Sequence, residues 1–110
     1  MSKITTHVLD TSIGRPAQGV TVELAQLVDG NWKEIGHGET NSDGRISDLT
    51  DGVKLSAGVY RLTFNVAGYL ADRASFYPYI PIVFEIKNPE QHHHVPLLLN
   101  PFGYSTYRGS

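Results

Sequence analysis

Along most of this chain, apolar and polar side chains alternate with a period of two, and nothing else in the sequence constrains its fold as strongly. "GVYRLTFNV" (58–66) puts Tyr60, Leu62, Phe64 and Val66 on one face and Arg61, Thr63 and Asn65 on the other. "GVTVELAQL" (19–27) sets Val20, Val22 and Leu24 against Thr21, Glu23 and Ala25. The "DGN" after Val28 predicts a hairpin, because Asp-Gly accepts positive backbone angles, and "WKEIGHGET" (32–40) returns as the partner strand. "NSDGR" (41–45) is a second tight turn that leaves Arg45 at the mouth of the next strand. "TTHVLD" (5–10) forms a first strand, "IPIVFEI" (80–86) and "HHHVPLLL" (92–99) two later ones, and "YSTY" (104–107) a short last one. Pro96 inside the "HHHVPLLL" strand predicts an edge or a locally unpaired position, since proline has no N–H to give. Only "VAGYLADRAS" (66–75) breaks the alternation, with room for a short helix of about two turns. Seven or eight short strands and one small helix predict an all-β sandwich.

At 110 residues the expectation is a single domain, 1–110, able to bury about two-thirds of its unfolded surface without a disulfide or metal staple. A net charge of −2 argues against a nucleic-acid partner, which calls for a basic stripe. The absence of cysteine excludes thiolate chemistry and sits easily with a reducing cytoplasm. No stretch has the length of a signal peptide's apolar core or of a membrane span, so no membrane partner is expected and the cytoplasm is the default.

The chemistry-bearing residues are few. Three histidines in a row, His92, His93 and His94, invite a metal. Strand geometry weakens that idea, because His92 and His94 share a face while His93 points away. Two ligands from one strand need help, and no His-Glu-x-x-His or cysteine pair supplies it, so no metal is expected. His7 on the first strand, Arg45 after its turn, and Tyr104 and Tyr107 near the end each have an ordinary structural explanation when taken alone. His37, flanked by glycines, reads as a loop residue. Ser105 and Ser110 lack a Gly-x-Ser-x-Gly setting.

Three longer stretches carry more. "HVLDTSIGRPAQGVTVEL" (7–24), "TNSDGRI" (40–46) and "HHHVPLLLNPFGYSTYRGS" (92–110) resemble the transthyretin-related family, and the ending "YRGS" resembles its 5-hydroxyisourate hydrolase branch. The resemblance implies a prealbumin-like β-sandwich of two four-stranded sheets with one short helix, assembled as a homotetramer, a dimer of dimers. It also implies a cofactor-free, metal-independent hydrolase acting on 5-hydroxyisourate, a product of urate oxidation in purine breakdown. Matched residue by residue, the implied catalytic groups are His7, Arg45, His94 and Ser110. The implied substrate contacts are His7, Arg45, Tyr107 and His92. His92 opens the family's His-x-His element, whose middle position is usually aromatic and here is His93. A histidine suits the activation of water near neutral pH, and a fixed guanidinium suits a developing oxyanion. Tyr107 is expected to orient the substrate, and the chain end to lie near the histidines, its carboxylate raising their pKa. Two other readings remain: a carrier of a small aromatic ligand, whose channel would be aliphatic and hydroxyl-lined, and a prealbumin-like stalk module.

Overall fold

The computed structural model describes residues 3–110. Nine strands form two sheets: β1 (Lys3–Asp10), β2 (Arg15–Pro16), β3 (Thr21–Val28), β4 (Asn31–Glu39), β5 (Arg45–Ile46), β6 (Gly58–Asn65), β7 (Tyr79–Ile86), β8 (His92–Asn100) and β9 (Gly103–Thr106). One short helix, α1 (Val66–Leu70), follows β6. The second sheet runs β4-β3-β6-β7, four antiparallel strands as expected. The first runs β2-β1-β8-β9, but β5 also pairs with β1, so it has five strands rather than four. The extra member is short: β2 and β5, two residues each, share one side of β1, β5 beside Thr6 and His7 and β2 beside Leu9 and Asp10.

Local sequence accounts for much of this. The β3–β4 hairpin closes through Asp29-Gly30, both with positive φ (51° and 80°), which is the two-residue turn that matches strand twist. The helix is shorter than the two turns its sequence allows. Asn65 caps it by accepting from the Gly68 amide at 3.1 Å, and Ala71, at φ 54°, ends it. His37 lies inside β4 rather than in a loop, exposed on a strand and within 3.4 Å of Glu34.

The core is the set of inward side chains that alternation selects. Val22, Leu24, Tyr60, Leu62, Phe64 and Ile80 come from the second sheet, and Ile4, Val8, Leu97 and Leu99 from the first. Tyr60 is fully buried yet satisfied, its hydroxyl donating to the Ser56 carbonyl at 2.7 Å.

Asp10, fully buried at the end of β1, ties the helix region to the first sheet. It accepts from the Ser12 amide and hydroxyl, from the Tyr69 hydroxyl at 2.8 Å and from Arg73 at 3.0 Å. Burial alone would push its pKa up. The bonds from Ser12, Tyr69 and Arg73 outweigh burial and hold it below the ordinary value. A carboxylate with a depressed folded-state pKa adds stability above its unfolded pKa and loses it as pH falls through the folded value. Asp10→Ala strands the Tyr69 hydroxyl and Arg73 and is expected to cost about 3 kcal/mol at neutral pH. Thermal unfolding at pH 7 and pH 3 checks this. The gap between wild type and variant should narrow at the lower pH, and an equal gap at both would show that the charge is irrelevant.

Candidate active site on the outer face of the first sheet

β1 and β8 are parallel neighbours, with Lys3 opposite His92, Thr5 opposite His94 and His7 opposite Pro96. Side chains alternate, so Ile4, Thr6 and Val8 share the core face with His93, Val95 and Leu97. Lys3, Thr5 and His7 share the outer face with His92, His94 and Pro96. The expected division of the three histidines is found, with His93 buried and His92 and His94 outside.

Arg45 is brought beside His7 by the turn before it. The Asn41 side-chain carbonyl accepts from the amides of Asp43 and Arg45, and the Gly44 carbonyl accepts from the Val8 amide at 2.7 Å. Gly44 needs to be glycine: its φ is +73°, and a Cβ there would lie 2.4 Å from the Val8 carbonyl oxygen. In this register Arg45 pairs directly with His7 on β1's open side.

The chain end arrives from the opposite side. β9 pairs with β8 from Asn100–Gly103 to Leu97–Thr106 and stops there, so the final strand lies one residue earlier than the "YSTY" reading, with Gly103 inside it and Tyr107 outside. The interruption falls at Pro96, which cannot donate to the next residue; its carbonyl takes the Thr106 hydroxyl instead, at 2.6 Å. Pro96 therefore lies in a strand flanked on both sides, at a gap in one ladder. Beyond the gap the same register resumes for one bridge, with the Gly109 amide donating to the His94 carbonyl at 2.8 Å. Arg108 donates to the Gln91 side chain at 3.2 Å.

The result is an open groove of about 470 Å³. His7, Arg45, His92, His94, Tyr107 and Ser110, all the residues that the resemblance implied, line it. The sequence reading missed Lys3 and Thr5, which also line it. The period of two contained the signal, since Lys3 and Thr5 stand four and two residues before His7 on one strand face. Thr5 is buried although it lies on the outer face, because its hydroxyl sits between two imidazoles: 2.6 Å from His92 Nε2 and 2.7 Å from His94 Nδ1. His37 is on the other sheet, away from the groove.

Burial, followed by the Arg45 charge, lowers the pKa of His7. Burial lowers that of His94 as well, aided by Arg45, His92 and His7. Both shifts run opposite to the expected lift from a terminal carboxylate, because half-buried imidazoles beside a guanidinium resist a further positive charge. At neutral pH both rings are therefore neutral and able to accept a proton. Among the described residues no three His, Cys, Asp or Glu side chains converge as a metal site, and no helix is long and apolar enough to cross a membrane.

Fold and groove together define a transthyretin-like sandwich with a cationic, histidine-bearing site on one outer face. Residues 4–109 match the HIUase/Transthyretin family, and the chain belongs to that family. It is 48% identical to the 5-hydroxyisourate hydrolase of Halalkalibacterium halodurans, over 98% of this chain and 98% of that protein. The structure of Klebsiella pneumoniae 5-hydroxyisourate hydrolase is 41% identical and covers 100% of both chains with a TM-score of 0.87. Sea bream transthyretin in complex with thyroxine is 32% identical, over 96% of this chain and 93% of that one, with a TM-score of 0.89.

Proposed function

We propose that this chain is a metal-independent 5-hydroxyisourate hydrolase, acting as one domain in the cytoplasm. It would open the ring of 5-hydroxyisourate to give 2-oxo-4-hydroxy-4-carboxy-5-ureidoimidazoline in urate degradation. The observation that carries the proposal is the convergence of His7, Arg45, His94 and the C-terminal residues on one groove. The hydrolase names of close relatives point the same way.

In this reading a neutral histidine, His94 or His7, takes a proton from water as the water oxygen bonds to the ring carbonyl carbon. Charge builds on the carbonyl oxygen, and the Arg45 guanidinium, fixed by its turn, stabilises it. The carbon–nitrogen bond then breaks and the histidine returns the proton to the departing nitrogen, leaving a carboxylate and a ureido group. Tyr107 and His92 hold the planar substrate, and Ser110 holds the water or a polar edge of the ring. The steps are addition of water to a carbonyl, proton transfer and carbon–nitrogen cleavage, with no change of oxidation state, so the reading calls for no cofactor.

The groove is open in one chain, with Arg45 and Tyr107 exposed beside it. Packing this face against a second copy would close it, so the proposal includes a homotetramer built as a dimer of dimers. The carrier reading draws on the likeness to thyroxine-bound sea bream transthyretin. A groove with His, Arg and Lys side chains suits it poorly, because an aromatic ligand in an apolar channel gains little from them.

The deciding experiment follows the ultraviolet decay of freshly generated 5-hydroxyisourate. Added protein should speed decay in proportion to its concentration, leave urate untouched, and keep its activity in EDTA. Light scattering on the same sample should give four chains. Decay at the spontaneous rate at every protein concentration would end the hydrolase reading in favour of the carrier.

A further inference from the structure

The hydrogen-bonded row His92–Thr5–His94 carries a consequence that neither histidine has alone. A threonine hydroxyl has one proton and two lone pairs, and here it faces two ring nitrogens at 2.6 and 2.7 Å. It can donate to only one of them, so the other must be an N–H that donates to it. At least one of the two rings therefore presents an N–H to Thr5.

We propose that Thr5 is a positioning residue that sets the tautomer of His94, receiving its Nδ1–H and passing the hydroxyl proton to His92 Nε2. The direction follows from the role proposed for His94, because a base that takes a proton from water in the groove needs its free lone pair on the ring edge away from Thr5. With the Nδ1–H held by the Thr5 hydroxyl at 2.7 Å, Nε2 on the far edge of the ring keeps that lone pair. That is the tautomer a general base requires. When Nε2 takes a proton from water, the Nδ1–H still donates to Thr5 and Thr5 still donates to His92. One hydrogen-bond chain serves both protonation states, and nothing has to reorient during the transfer.

The direction of the row and its consequence for turnover rest on the hydrolase reading; the link through Thr5 does not. Histidine-selective ¹⁵N labelling of the full-length protein, read by long-range ¹H–¹⁵N correlation, should show His94 as Nδ1–H in wild type and in Thr5→Ser. In Thr5→Val, which keeps the shape and removes the hydroxyl, His94 should move toward Nε2–H. Thr5→Val should also lower kcat by about tenfold to a hundredfold with KM changed by no more than about twofold, and Thr5→Ser should restore most of it. Wild-type His94 found as Nε2–H would overturn the proposal, and so would Thr5→Ser as impaired as Thr5→Val. A protein that showed the Nδ1–H pattern and hydrolysed nothing would support the Thr5 assignment while sinking the hydrolase.

Discussion

His94→Asn is expected to lower 5-hydroxyisourate turnover by about a hundred- to a thousandfold while leaving the sandwich folded. Asparagine can still hydrogen-bond toward Thr5, and the ring it replaces is on the outer face, so the core loses nothing. What disappears is a group able to accept a proton near neutral pH. His7→Asn and Arg45→Gln should cost similar factors, the first by removing the other half-buried imidazole and the second by removing the fixed cation beside it. The pH profile gives the sign. Both histidines titrate below the ordinary value of 6.5, so wild-type kcat/KM should stay flat through neutrality and fall only on the acid side of that value. Arg45→Gln removes a positive charge beside both rings, so the acid limb should move up toward 6.5 in whatever activity remains. His92→Asn, His93→Asn and His37→Asn should each cost about tenfold or less. If His93→Asn proved as damaging to turnover as His94→Asn in a folded protein, the separation of faces along β8 would be the wrong explanation for the site.

The parts of the molecule that were legible in the sequence are those governed by local rules. Alternation from Tyr60 to Val66 selected core side chains that are indeed buried, and Asp29-Gly30 gave its turn. The division of His92 and His94 from His93 needed only the period of a strand. Long-range pairing was not legible in this way. Nothing near Lys3 or His92 says that β1 and β8, from opposite ends of the chain, lie side by side and parallel, yet that pairing puts Thr5 between two histidines. The groove residues came instead from the resemblance of three motifs to a family. The second pairing partner of β1 was missed because two-residue strands such as β2 and β5 are too short to show a period. His37 was misread for a related reason. Its flanking glycines signal a loop, but Gly36 and Gly38 serve packing: a Cβ on Gly36 would collide with the Leu49 carbonyl, so the strand runs on beneath a covering loop.

The last four residues, Tyr107 to Ser110, are expected to be dispensable for the fold and indispensable for turnover. Their removal leaves the β8–β9 ladder from Leu97–Thr106 to Asn100–Gly103 complete, and Leu97 and Leu99 stay buried. The direct losses are the Gly109–His94 backbone bond and the exposed Arg108–Gln91 contact. Together these are worth about 1 kcal/mol, so the thermal midpoint should be nearly unchanged. At the groove the loss is larger. Tyr107 and Ser110 leave the lining altogether, and His94 loses the backbone that lies against its ring. Misplaced or missing contacts at a reacting centre cost about a hundredfold or more, and that is the fall expected in kcat/KM. Gly109→Ala tests the same contact with one methyl group. A Cβ there would sit 2.5 Å from His94 Cδ2 and 3.2 Å from Pro96 Cγ, so either the ring or the tail must move. Its activity should fall between wild type and the truncation, and a tag fused after Ser110 should be harmful for the same reason. Steady-state assays beside thermal melts separate the two roles. A truncated protein with the full rate would remove Tyr107 and Ser110 from the site. One that lost stability in step with activity would make the tail a structural clasp. The backbone already favours the functional outcome, because the chain crosses the Pro96 gap only to make a single bridge, and that bridge is to His94.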